Sequence, residues 1–308
     1  MTAVNESEAN QSSLTSAHGT LADEQPRVWT VYAFFLAACA AMLFNSLVAL
    51  VATYVWRHGS SGLQDAEGLM AFAVEPSNLI VSLWVTALTL VACSLLAARL
   101  SPQPLVKRLS IELRAVPPVT LLVCMLGAPA LGAALETLVL ASGIEISGTL
   151  KIISDSVLSA RGWEIPLLIL AISIGPGLGE EFVFRGYIQT RLVKRDGPLV
   201  GILITATLFG LMHYDPLQSP LAGILGIYIG FIAYRFGSIW PAVLTHAFNN
   251  AFSITSLVMF PDDAGTDAPN YIIGGAGALI FAGCLSYLQA KKHSTEQQGE
   301  IPASKALP

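Results

Sequence analysis

From residue 28 to residue 56 the chain carries no charged side chain, and Arg27 and Arg57 stand at the two ends of that run. A helix of this length crosses a hydrocarbon core of roughly 30 Å, with Trp29, Tyr32, Tyr54 and Trp56 spaced to settle at the two interfaces. Seven more apolar runs follow, at about 77–98, 116–141, 163–187, 199–212, 221–234, 239–259 and 271–290. Backbone amides find no water inside lipid, so runs of this kind must close their hydrogen bonds within themselves as helices. The pattern predicts an all-α, polytopic transmembrane helical bundle of about eight spans. A hydrophobic share of 54% against 12% charged residues suits lipid as the solvent and fits no soluble domain.

The flanks and connections carry the topology. Residues 1–26 are polar, rich in Ser, Thr, Asn, Gln and Glu, and are expected to be a disordered tail ahead of a transmembrane domain over 27–290. A second polar tail is expected over 291–308. The long polar leader and the length of the first apolar run argue against a cleaved signal peptide. If the N-terminus is cytoplasmic, thirteen of the sixteen Lys and Arg residues fall on inside segments, leaving only Arg57, Lys151 and Arg161 outside. Both termini are therefore expected in the cytoplasm, in an inner or plasma membrane. The net charge of -5 argues against a nucleic-acid partner. Cys39, Cys93, Cys124 and Cys284 lie singly in separate runs, with no spacing that suggests a metal knuckle or redox pair.

Ionisable side chains at membrane depth cost several kcal/mol each unless paired or solvated, so they are functional candidates by default. Here they are Glu136, Glu180, Glu181, Arg185, His213 and His246, and all but Glu136 fall between the fourth and seventh runs. Pro176 is expected to bend the fourth helix just before the carboxylates. Glu181 and Arg185 stand at i and i+4, the favourable order for an ion pair, while Glu180 points about 100° away. A hairpin turning near Gly197 puts Glu180 and His213 at nearly one height, and His246 begins only eight residues after Ser238. Asn250 follows His246 by four residues, on the same helical face. The break at residues 213–220, polar and punctuated by proline, is expected to line a protein-walled cavity. A carboxylate, two imidazoles and a carboxamide meeting in such a pocket are suited to hydrolysis.

These residues resemble the motifs of the intramembrane CAAX-prenyl-protease and bacteriocin-processing family: Glu-Glu-x-x-x-Arg, Phe-x-x-x-His and His-x-x-x-Asn. They read here as Glu180-Glu181 to Arg185, Phe209 to His213, and His246 to Asn250, within a core of about 163–255. Each motif is weak alone, and their order and membrane setting make the combination specific. The resemblance implies an intramembrane endopeptidase acting on a membrane-associated peptide or lipidated C-terminus. Glu180 would activate water, His213, His246 and Asn250 would complete the site, and Glu181, Arg185 and Phe209 would support it. It also implies a divalent metal, zinc first, on His213 and His246, although two histidines leave a zinc site short of ligands.

Two other readings stay open. One is a non-catalytic scaffold or immunity-type membrane protein that keeps the pocket for binding. The other is a small-molecule transporter, disfavoured by the lack of a visible internal repeat. Glu136, His58 and His293 receive no role.

Overall fold

The computed structural model describes residues 26–145, 147–261 and 270–299, and those residues are helical with no strand among them. The expected tail over 1–25 and the end of the second over 300–308 lie outside the described residues. So does the acidic segment 262–269. The principal helices are α1 (Val28–His58), α2 (Pro76–Arg99), α3 (Pro118–Ala141), α4 (Gly148–Ser159), α5 (Glu164–Glu181), α6 (Thr190–Asp196), α7 (Pro198–Leu211), α8 (Gln218–Phe236), α9 (Trp240–Met259) and α10 (Tyr271–Gly299). Short helical turns at Ser60–Gln64, Ala66–Ala73 and Leu105–Arg108 fill the connections. The backbone of α10 stays helical beyond residue 291, where a polar tail is expected.

All eight apolar runs become helices, and six of them are long and apolar enough to cross a membrane. The two others differ for physical reasons. Helix α7 has only 14 residues, about 21 Å of rise at 1.5 Å each, so alone it falls short of a bilayer core. Helix α9 is long enough at 20 residues, but His246, Asn249 and Asn250 dilute its apolar character. The protein is a multi-pass integral membrane bundle in which α7 is apolar but short and α9 is long but polar at its centre.

Between α5 and α6 the chain does not break. Residues Phe182–Gln189 continue it as a π-helix, giving one continuous element from Glu164 to Asp196. This element occupies the centre of the bundle, with α2 packed on one side and α9 on the other. Helix α1 lies outside α2, α3 backs α9, α10 covers α3, and the α7–α8 pair closes over the π segment. The main core gathers Leu90, Val183, Phe184, Ile188, Phe209 and Ile239, each almost wholly buried. Gly179 explains how closely α5 approaches α2, because a Cβ there would stand 2.8 Å from the Ala87 Cα.

Within lipid the hydrophobic effect gives helices little reason to associate, so packing and interhelical hydrogen bonds must hold them. Asn45 donates to the Thr89 hydroxyl at 3.1 Å, and Ser46 meets Thr86 at 3.0 Å, joining α1 to α2. The Tyr228 hydroxyl donates to the Cys124 carbonyl at 3.0 Å, joining α8 to α3. Each such bond contributes about 0.6 kcal/mol.

Candidate active site

Two adjacent glutamates end α5, and the helix beside them supplies a histidine. Glu181 is fully buried, and its Oε1 accepts from Arg185 Nη1 at 2.8 Å and from His246 Nδ1 at 2.9 Å. A carboxylate oxygen accepts, so the shared proton sits on Nδ1 of His246 and the lone pair is left on Nε2. Glu180 faces that second nitrogen, with Oε2 at 3.9 Å from His246 Nε2. The distance is too long for a direct hydrogen bond. Glu180 Oε2 and Glu181 Oε2 are both buried without a hydrogen-bond partner. His246 is therefore held between two carboxylates that do different things: one fixes the ring, and the other stands ready beside its free nitrogen.

The ion pair expected from i and i+4 spacing is present, although Arg185 already lies in the π segment. Arg185 also donates from Nη2 to the Gly226 carbonyl at 2.9 Å, which anchors it to α8. Its guanidinium lies 4.7 Å from the Phe209 ring. Phe209 then touches both imidazoles edge-on, at ring distances of 5.2 Å to His213 and 5.8 Å to His246. It is the packing centre of the cluster, reached by Phe184 as well at 5.1 Å.

His213 is partly exposed, and its Nδ1 meets the Phe209 carbonyl at 3.0 Å. A carbonyl only accepts, so here too the proton is on Nδ1 and Nε2 keeps its lone pair. His213 joins the group through Phe209 and makes no hydrogen bond with Glu180 or His246. Asn250 is spent differently: its Nδ2 donates to the Ile172 carbonyl at 3.1 Å, and its Oδ1 accepts from Asn249 at 3.2 Å. It ties α9 to α5 rather than facing His246. Among the described residues no three His, Cys, Asp or Glu side chains converge as a metal site requires. In this arrangement His213 and His246 fall short of the ligand number that zinc takes.

Sequence reasoning missed two features. Glu181 serves His246 as well as Arg185, which depends on how α9 is rotated against α5. Asp215 organises the break between α7 and α8: its carboxylate accepts from the backbone N–H groups of Thr149 at 2.8 Å, Leu217 at 2.9 Å and Gln218 at 2.7 Å. These bonds, led by Gln218 and Thr149, hold its carboxyl below the usual carboxylate range against the opposing effect of burial. Gly148 permits the contact, having a φ of 62° and no Cβ, since one would collide with the Asp215 carboxylate. The break satisfies its backbone with this side chain, and only Ser219 and Pro220 reach a cavity, of about 370 Å³, between α7 and α8.

Comparison with known proteins matches the segment that carries this geometry. Residues 162–252 match the Rce1-like type II CAAX prenyl endopeptidase family. The matched segment contains both glutamates, Arg185, Phe209, both histidines and Asn250. A Bacillus subtilis (strain 168) protein described as "Putative membrane peptidase YdiL" is 29% identical over 90 residues, 29% of this chain. The match covers 37% of that relative's length. No solved structure matches the chain.

Proposed function

We propose that the protein is an intramembrane endopeptidase that hydrolyses a peptide bond in a membrane-associated or lipidated, CAAX-like substrate. The observation that carries the reading is the position of His246 between Glu181 and Glu180, inside the segment similar to the Rce1-like endopeptidases. Glu180 is the water activator in this reading. Glu180 Oε2 and His246 Nε2 each present a lone pair across 3.9 Å, and because Oε2 is buried the site must open, on substrate entry in this reading, to admit a water between them. Glu180 takes the proton as that water attacks the scissile carbonyl, and later delivers it to the leaving amine. Glu181 keeps the His246 proton on Nδ1, and Arg185 holds Glu181 in place through their ion pair. His213 presents its own Nε2 from across Phe209 and is the candidate to polarise the substrate carbonyl once protonated. Asn250 positions α9.

A divalent ion on His213 and His246 is a separate proposal, decided by elemental analysis of the purified protein. The peptidase reading itself is tested by comparing membrane peptides in cells expressing the wild type or Glu180→Gln at equal levels. A set of peptides cleaved only by the wild type is expected, and identical peptide profiles would remove the enzyme reading in favour of a binding scaffold.

A further inference from the structure

A cavity of about 1120 Å³ opens at the end of the bundle where α1 begins and α2, α6 and α8 end. By the Lys and Arg asymmetry this is the cytoplasmic end. Six cationic residues line it, Arg27, Lys107, Arg108, Arg185, Arg191 and Lys194, and no acidic residue among the described ones does. Only Arg185 has a carboxylate partner among the described residues, and its buried Nε is unpaired. The decisive pair is Arg108 and Arg191. Their guanidinium carbons lie 4.4 Å and 4.2 Å from the centre of one ring, that of Tyr187. Arg108 is 4% exposed, and it donates only to the Thr190 hydroxyl and the Tyr187 carbonyl. Each guanidinium meets only the ring and neutral acceptors, Arg191 donating to the Thr30 hydroxyl at 3.1 Å, and these do not cancel its charge. The arrangement calls for an anion.

We propose that this cavity binds a phosphate group, supplied in the membrane by the headgroup of an acidic phospholipid. Guanidinium forks suit phosphate oxygens, and basic pockets between spans at the cytoplasmic side are suited to anionic headgroups. The depth fits, because Trp29, 64% exposed beside Arg27, marks the interface where headgroups lie. The volume suits a headgroup and is far too small for a folded partner. Neither Glu180 nor His246 lines the cavity, and Arg185 is the one residue it shares with the carboxylate cluster, so the test rests on Arg108 and Arg191.

The test uses the full chain in nanodiscs of equal phosphatidylglycerol and phosphatidylcholine, with the lipids that remain after mild extraction identified by native mass spectrometry. The wild type should retain phosphatidylglycerol over phosphatidylcholine by about fivefold or more. R108Q/R191Q should lose that preference. Lys107 and Lys194 are exposed, so K107Q/K194Q should fold normally and reduce it. In a second arm, melting is followed in a neutral detergent with inorganic phosphate or with chloride at equal ionic strength. Lipid preference lost in the variants supports the proposal, with or without a phosphate effect. A phosphate-specific rise in melting without lipid preference overturns the lipid source in favour of a soluble anion. Equal retention of both lipids with no phosphate effect, or a preference that survives in both double variants, overturns the site.

Discussion

His246 Nδ1 donates to Glu181 Oε1 at 2.9 Å, and the same oxygen accepts from Arg185 at 2.8 Å. The glutamate that resembles a helix-end ion-pair partner in sequence is thus also what orients the imidazole. That relationship separates the expected behaviour of two neighbouring carboxylates.

Glu180→Gln keeps the shape of the side chain and removes the base. Turnover per folded protein should fall by about 100-fold or more, with little change in melting temperature. A folded Glu180→Gln protein with wild-type turnover would show that another group activates water.

Glu181→Gln leaves Arg185 buried without its counter-ion and weakens the hold on His246. Removing one partner of a buried pair costs about 3 kcal/mol, and adding Arg185→Gln should recover part of it. Glu181 is a positioning residue, so the folded remnant should also show a displaced pH–rate profile. A loss of stability with an unchanged profile in the folded fraction would confine Glu181 to structure.

His246→Ala should abolish cleavage in an inserted, folded protein, and His213→Ala should do the same. Elemental analysis of both, beside the wild type, reads the metal proposal directly. Zinc at one equivalent in the wild type and absent from both variants would establish ligation, whereas a metal-free, active wild type would end it.

Asp215→Ala should cost about 1 kcal/mol through the three backbone N–H groups it leaves unpaired. The sign with pH follows from its lowered carboxyl pKa. The contribution is fully present above the ordinary carboxyl value of 3.8 and fades as pH falls below it. Melting of wild type and variant should differ by a constant amount at neutral pH and converge in acid. A gap that widened in acid would contradict the assignment.

For topology, reporters after Arg195 and after Lys292 should score cytoplasmic, and one between Asp262 and Asp267 external. The structure brings two of the expected inside segments together, since Arg195 donates to the Pro26 carbonyl at 3.3 Å. An external score after Arg195 would invert the scheme.

Much of this molecule was legible in its sequence because lipid permits so few backbone solutions. Most apolar runs mark their helices to within a few residues, the fourth and the last helix continuing to Asp196 and Gly299 beyond their runs, and the Glu181–Arg185 pair follows from helical spacing alone. What depends on rotation between helices was not legible. Asn250 shares a face with His246 in sequence, yet its amide is drawn off by the Ile172 carbonyl. His213 was placed at the height of Glu180, but height leaves its direction open, and its Nδ1 turns to the Phe209 carbonyl. Pro176 lies inside α5 as expected, and the departure from α geometry that sequence did not signal comes after the glutamates, over Phe182–Gln189. No residue preference in that stretch announces it.

That π segment also changes the phase of the central helix. Each residue inserted into an α-helix turns everything beyond it by about 100° relative to an unbroken helix. The face that carries Glu180 and Glu181 and the face that carries Arg191 and Lys194 are therefore in different angular registers. A single helical wheel drawn over Glu164–Asp196 assigns one end correctly and rotates the other away from its true neighbours. Substitutions meant to probe one side of this helix must be chosen separately on either side of Phe182, because a stripe continuous on paper is not continuous around the helix.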